Sequence, residues 1–173
     1  MNTIVVYNSK TGFTRQYGEW IAEELGCKAI PEKEAKKDLS AYECIIYGGW
    51  LMAGKITGLD AMKANPDMSH KKLIVYATGA TDHRATEVIE KVKVDNLTPE
   101  EQEKIPFFYM ESGINFEKMG FFSKSMLKMM GKSLNKKQDK TPMEEAMAKM
   151  FEKSSDHTSK DYIQPLVDYV KDL

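Results

Sequence analysis

Residues 5–14 read Val5-Val6-Tyr7-Asn8-Ser9-Lys10-Thr11-Gly12-Phe13-Thr14, and an amphipathic stretch follows them to Leu25. The apolar run predicts a buried strand. The stripe of Tyr17, Trp20, Ile21 and Leu25, closed by Gly26, predicts a helix from Thr11 or Gly12 to Leu25. Between the two, Ser9, Thr11, Gly12 and Thr14 fall where the first N–H groups of a helix lack intrahelical partners and the macrodipole favours negative charge. The segment therefore reads as an anion cradle, and a phosphate group is its natural occupant.

Further along the chain, β-rich runs recur at Thr3–Tyr7, Lys28–Ile30, Cys44–Tyr47, Leu73–Ala77 and Ile105–Met110, with helical patterns between most of them. The strands Ile-Val-Val-Tyr, Cys-Ile-Ile-Tyr and Leu-Ile-Val-Tyr are apolar throughout, as expected when helices cover both faces of a parallel sheet. The fold class is α/β, a doubly wound five-stranded parallel sheet. A helix is expected over Arg84–Val92, with Asp82 as its N-cap, and a short one at Thr98-Pro99-Glu100-Glu101, where a capping box encloses a proline. The last helix is expected from Thr158 or Ser159, with Pro165 distorting its start.

The segment from Glu111 to about Asp156 is far longer than the usual connection in such a unit. Thr141-Pro142-Met143-Glu144 is a second capping box, followed by Met143, Ala146, Met147, Met150 and Phe151 at helical spacing. Phe121–Leu134 is another helix candidate. It places Phe122, Met126, Met129 or Met130 and Leu134 on one side and Lys124, Lys128 and Lys132 on another. With no repeat or low-complexity linker, the reading is one domain over 1–173 with a helical insert at about 111–156, before the last helix.

The 173 residues carry 25 basic and 26 acidic side chains, a balance that gives no field for nucleic acid. No secretory leader and no run of the roughly 20 apolar residues needed to span a bilayer is apparent, so a cytoplasmic protein is expected. Cys27 and Cys44 read as small buried hydrophobes rather than a redox pair. His70, His83 and His157 lack metal-ligand spacing, so no metal site is expected, and His70 and His157 read as solvated.

In an open α/β sheet, ligands bind beyond the carboxyl ends of the strands. Three segments meet there in the predicted order: Asn8–Thr14, the glycine-rich run from Gly48 to Gly58, and Thr78 to His83. Ser9-Lys10-Thr11-Gly12-Phe13-Thr14 resembles the phosphate loop of the flavodoxin superfamily, Ser/Thr-x-Thr-Gly-x-Thr. The resemblance implies FMN as cofactor. Ser9, Thr11, Gly12 and Thr14 would hold its phosphate, with backbone N–H from Lys10 and Phe13. It also implies a flavodoxin-like sheet order of 2-1-3-4-5, flavin-edge contacts from Gly48, Gly49, Trp50, Leu51, Met52, Ala53 and Gly54, and a third loop at Thr78, Gly79, Ala80 and Thr81. The aromatic that electron-carrying flavodoxins place in that third loop is absent here. His83 follows it and is a candidate for the flavin edge or for proton transfer.

Other phosphate chemistries lack their residues: no Gly-x-Gly-x-x-Gly follows the first strand, no P-loop Lys-Ser/Thr pair is present, and Asn8 and Gly48 stand where a receiver domain needs acids. Glu117–Lys140 holds seven lysines against two acids and part of a methionine-rich stretch. Its methionines either pack on the domain beneath solvated lysines, the plainer expectation, or form a surface for anionic lipid or a membrane-dissolved quinone. The combination of these loops with a long insert before the last helix resembles the menaquinone-dependent protoporphyrinogen oxidase branch, which implies a porphyrinogen-type substrate and a quinone acceptor. The reading is thus an FMN-dependent oxidoreductase. A flavodoxin electron carrier between protein partners and a flavin-free interaction module are the alternatives.

Overall fold

The computed structural model describes residues 1–35 and 39–173, without the side chain of Met143. In chain order the main sheet contains β1 (Thr3–Asn8), β2 (Lys28–Pro31), β3 (Cys44–Met52), the two-residue β4 (Lys55–Ile56), β5 (Lys72–Gly79) and β6 (Phe107–Glu111). All but β4 run parallel in the order β2-β1-β3-β5-β6, which is the expected 2-1-3-4-5 when the parallel strands alone are counted. The helices between and after them are α1 (Phe13–Leu25), α2 (Glu32–Ala35), α3 (Leu59–Lys63), α4 (Thr86–Asn96), α5 (Pro99–Lys104), α6 (Phe121–Lys136), α7 (Pro142–Met150) and α8 (Gln164–Lys171).

The uniformly apolar strands are covered on both sides. Ile4, Val6, Ile45, Tyr47 and Val75 pack with Leu59 and Met62 of α3 and Val92 of α4. Val5, Ile46, Ile74 and Tyr76 face the other way, onto Tyr17 and Ile21 of α1 and Leu166 and Val167 of α8. Each such side chain contributes about 1.5–3 kcal/mol on leaving water, so these two layers hold the sheet. Register then places the ligand loops: Asn8 pairs with Gly49, Trp50 with Thr78, and Gly79 with Glu111, so all four strand ends lie on one edge.

β3 continues to Met52 rather than ending at Tyr47. Its last residues, Leu51 and Met52, pair antiparallel with Ile56 and Lys55. Ala53 and Gly54 form the two-residue turn with φ of 49° and 81°, the positive pair that a type I′ hairpin requires. The expected glycine-rich loop is therefore largely a hairpin. Asn96, at the end of α4, pins it by donating to the Gly54 carbonyl (2.7 Å) and accepting from the Ile56 N–H (2.8 Å).

Asp82 does not cap α4. Ala85 holds that position without a side-chain cap, and Asp82 instead accepts from the Arg84 backbone and guanidinium. The capping boxes at Thr98–Glu101 and Thr141–Glu144 both form. The C-terminal segment opens as a 3-10 turn at Lys160–Ile163, and Pro165 sits in the first turn of α8, where its missing N–H has no intrahelical role.

The insert is closed at its base by a ladder between β7 (Gly113–Ile114) and β8 (Ser155–Asp156). Ile114, Phe116 and Phe151 form a small separate core with Met119, Leu127, Leu134, Met147 and Met150. The packed line of α6 differs from the expected one. At Gly131 a Cβ would lie 3.0 Å from Phe151 Cβ, so this close crossing turns Leu127, Gly131 and Leu134 inward. Phe122, Met126, Met129 and Met130 consequently face out, with Phe121 and Phe122 90% and 82% exposed. The expectation that this methionine face packs on the domain is corrected, although Met119, Met147 and Met150 do pack inward. Among the described residues, no helix is long and apolar enough to cross a membrane.

Candidate functional site

Two spaces open at the carboxyl edge of the sheet. The first is a polar cleft of about 880 Å³ that includes Asn8, Ser9, Lys10, Thr11, Gly12 and Phe13, with Asn115, Lys118 and Asp156 of the insert across from them. The second is a largely apolar cavity of about 290 Å³. Thr14, Trp50, Leu51, Met52 and Ala53 line it, as do Thr78, Gly79 and Ala80, and Met119, Leu127, Met150 and Phe151 of the insert complete it. Lys10, Thr11 and Phe13 belong to both.

The cleft is built around the start of α1. Gly12 is the N-cap, at φ 106°, a conformation that L side chains rarely adopt, and no side chain caps the helix. Among the described residues, the first amides of α1 therefore have no side-chain cap. Ser9 Oγ is, among the described residues, a buried side-chain polar atom without a hydrogen-bond partner. Such a hydroxyl costs roughly 1–3 kcal/mol unless something bonds it. Donors without acceptors around a space that admits an oxyanion fit a phosphate group.

Thr14, expected among those donors, is fully buried, and its hydroxyl bonds that of Thr78 at 2.8 Å, joining the first and third segments of the site. Tyr76 reinforces the joint by donating to the Thr14 carbonyl at 3.0 Å. Lys10 reaches over the cavity: its ammonium donates to Ser123 Oγ of α6 at 3.1 Å and lies 5.3 Å from the centre of the Trp50 ring. This holds the insert against the cradle.

A flavodoxin-domain profile matches residues 4–141, most of the chain. The chain belongs to the flavodoxin domain family. The domain is also similar to a WrbA-like flavodoxin protein from Agrobacterium tumefaciens, at 18% identity and TM-score 0.42 over 62% of this chain and 82% of that one. A flavodoxin from the domain Archaea is similar at 14% identity and TM-score 0.38, over 63% and 85% of the two chains. Among the curated proteins compared, none matches.

Several expected site residues of this flavodoxin domain line neither space. A Cβ on Gly48 would fall 1.9 Å from Tyr76 Cζ, and one on Gly49 would fall 2.6 Å from Ile56 Cγ2. Those glycines are required by packing within the sheet and its hairpin. Gly54 sits at the hairpin turn, and Thr81 turns its carbonyl to the Tyr109 hydroxyl at 2.8 Å.

His83 is drawn away as well. Its backbone N–H donates to Glu111 Oε2 (2.9 Å), and its Nδ1 lies 2.8 Å from the same oxygen. His157 Nδ1 lies 2.8 Å from the other oxygen, Oε1; this imidazole is exposed, as expected, and is also tied down. Burial pushes the Glu111 carboxyl up, but the bonds from the His83 backbone and the two imidazoles outweigh it and hold the group below the usual carboxylate range. Tyr17 donates to the Glu111 carbonyl, and the His157 N–H donates to the Ser112 carbonyl at 2.9 Å. One buried carboxylate on β6 thus ties the loop after β5 to the C-terminal end of the insert. Ligand-type atoms of Asp82, His83 and Glu111 lie within 4.8 Å of one another, but each of these side chains is engaged within the chain.

Lys118 and Asn115, which face the cleft, and Glu111 had no sequence signal. Each is brought to its place by the closure of the insert, across about 30 to 100 residues of chain.

Proposed function

We propose that this chain binds FMN, with the phosphate in the polar cleft and the flavin ring in the apolar cavity, and acts as an FMN-dependent oxidoreductase. The observation that carries the reading is that Lys10, Thr11 and Phe13 line both spaces, so a ligand with an anionic end and a flat apolar end fits across them. Ser9 Oγ, the Thr11 hydroxyl and the uncapped amides after Gly12 are the donors for the phosphate. Trp50 and Leu51 line the ring space, and Met119, Leu127, Met150 and Phe151 keep water from it. When bound, FMN supplies the redox chemistry, and the chain supplies anchoring, orientation and access.

A small apolar substrate is favoured over a protein redox partner because the insert beside the cavity is rich in lysine, methionine and phenylalanine rather than acidic. The resemblance to the menaquinone-dependent branch supplies the first pair to try, a porphyrinogen-type donor and a quinone acceptor. The exposed Phe122, Met126 and Met129 face of α6, with Lys128, Lys132 and Lys136 along its border and no acid on the helix, supports approach to an anionic lipid surface in which a quinone dissolves.

The test is to load the chain with FMN and to compare, anaerobically and in separate runs, reoxidation of the reduced chain by a soluble quinone with reduction of the oxidised chain by a reduced ferredoxin-type protein. Faster reoxidation by the quinone is expected. Faster reaction with the protein overturns the oxidoreductase reading in favour of the electron carrier, and a chain that takes up no FMN overturns both.

A further inference from the structure

We infer that Lys118, carried by the insert, completes the phosphate site and makes the chain selective for a phosphorylated flavin over the same ring without phosphate. The inference rests on the FMN reading above. A Cβ on Gly12 would lie 3.6 Å from Lys118 Nζ, so the ammonium stands directly over the N-cap of α1. Among the described residues, Lys118 makes no ion pair, although its backbone is fixed by a 3.0 Å bond from its N–H to Asn115 Oδ1.

The other charges of the cleft are largely engaged. Arg15 pairs with Glu19 at 3.1 Å, Glu32 accepts from Asn8 at 2.7 Å, and Asp156 accepts from the Thr158 N–H at 2.9 Å. Lys33 and Glu34 also line the cleft, adjacent on α2, where successive side chains do not face each other. Lys10 is turned toward Ser123 and Trp50. Lys118 is thus an available ammonium facing Gly12, beside the uncapped helix start and the unpartnered Ser9 hydroxyl.

The physical consequence is specific. The hydroxyls and amides of the cradle are neutral donors to the phosphate, and the ammonium adds a full opposing charge to them; like theirs, its contact exists only if the ligand carries the phosphate. Because Lys118 lies three residues beyond Asn115 in the insert, this contact is made only when the insert is seated. The cofactor phosphate therefore bridges the fixed half of the site and the added half.

Fluorescence titration of the cofactor-free chain with FMN and with riboflavin tests this. Lys118→Met keeps the aliphatic length and removes the charge. It is expected to weaken FMN binding about tenfold or more, in the range of a hydrogen bond to a charged group, and to leave riboflavin binding unchanged. Lys118→Arg is expected to restore most of the FMN affinity, and added salt is expected to weaken FMN binding less in Lys118→Met than in the wild type. Unchanged FMN affinity in Lys118→Met overturns the inference while leaving the FMN reading intact. Equal losses for FMN and riboflavin overturn it too, because the side chain then acts only on the structure. A wild-type chain that binds riboflavin as tightly as FMN overturns both.

Discussion

The cradle at residues 8–14 and the insert at 113–156 close on the same ligand space from opposite sides, but they are held in different ways. The cradle hangs from β1, a strand buried on both faces, and its geometry is set by glycine, by Thr14 bonded to Thr78, and by Tyr76 beneath it. The insert has only a small core of its own, a two-residue ladder at its base, and the Glu111 carboxylate holding its C-terminal end through His157. One half is rigid because any movement would disturb the sheet. The other depends on a few bonds that can be lost without unfolding the domain. On the proposed FMN reading, the preformed anchor would set what is bound and the less firmly held cover what is admitted.

Glycine substitution breaks this contrast most sharply. Gly48→Ala drives a methyl into Tyr76 inside the sheet and is expected to cost about 3 kcal/mol or more, while Gly120→Ala, which meets nothing within 4 Å, should cost a few tenths. Chemical denaturation of the two variants measures this, and similar losses would erase the distinction.

Glu111→Gln comes next, at about 2 kcal/mol, because a buried carboxylate that accepts from two imidazoles is replaced by a poorer acceptor. Hydrogen exchange should show residues 113–156 opening while β1, β3 and β5 stay protected. The pH dependence has a definite sign. Since the folded Glu111 is held below its unfolded value of about 4.3, its contribution is present above that pH and is lost as pH falls through the lowered folded value. Insert protection should therefore decline in acid before the sheet unfolds, and Glu111→Gln should flatten that decline.

Ser9→Ala sharpens the other side of the comparison. Removing an unpartnered buried hydroxyl should leave stability unchanged or slightly raised, yet weaken FMN binding by about tenfold, or about 1.4 kcal/mol. Loss of stability without loss of affinity would mean that this hydroxyl serves the fold. The smallest effect on stability, within about 0.5 kcal/mol, is expected for Phe122→Ser combined with Met129→Ser, since both side chains are largely exposed. The same pair should lower co-sedimentation with vesicles containing phosphatidylglycerol. Unchanged co-sedimentation would remove lipid from the account of the insert.

How much was readable in advance follows the same division. Ser9, Thr11 and Gly12 form a contiguous motif between a buried strand and an amphipathic helix, so local chemistry marked them, and the uniformly apolar strands showed that both faces of the sheet are covered. Gly48 and Gly49 pack against Tyr76 and Ile56, and sequence alone does not separate a glycine that lets a backbone approach a ring from one that makes room for a neighbouring side chain. The face of α6 was misjudged because helical period gives the stripes but not which of them a neighbour covers, and Gly131 against Phe151 decided that. His83, Glu111 and His157 are separated by 28 and 46 residues and meet only once β6 and the insert are in place.

The central claim is that the cleft and the cavity together hold one flavin by its two ends. Equilibrium titration of the cofactor-free chain with FMN, read by quenching of flavin emission, tests it most directly, with Ser9→Ala measured alongside. Saturable one-to-one binding is expected, weakened about tenfold in Ser9→Ala. FMN emission that stays unquenched as the chain is added, or quenching identical in the two proteins, would contradict it.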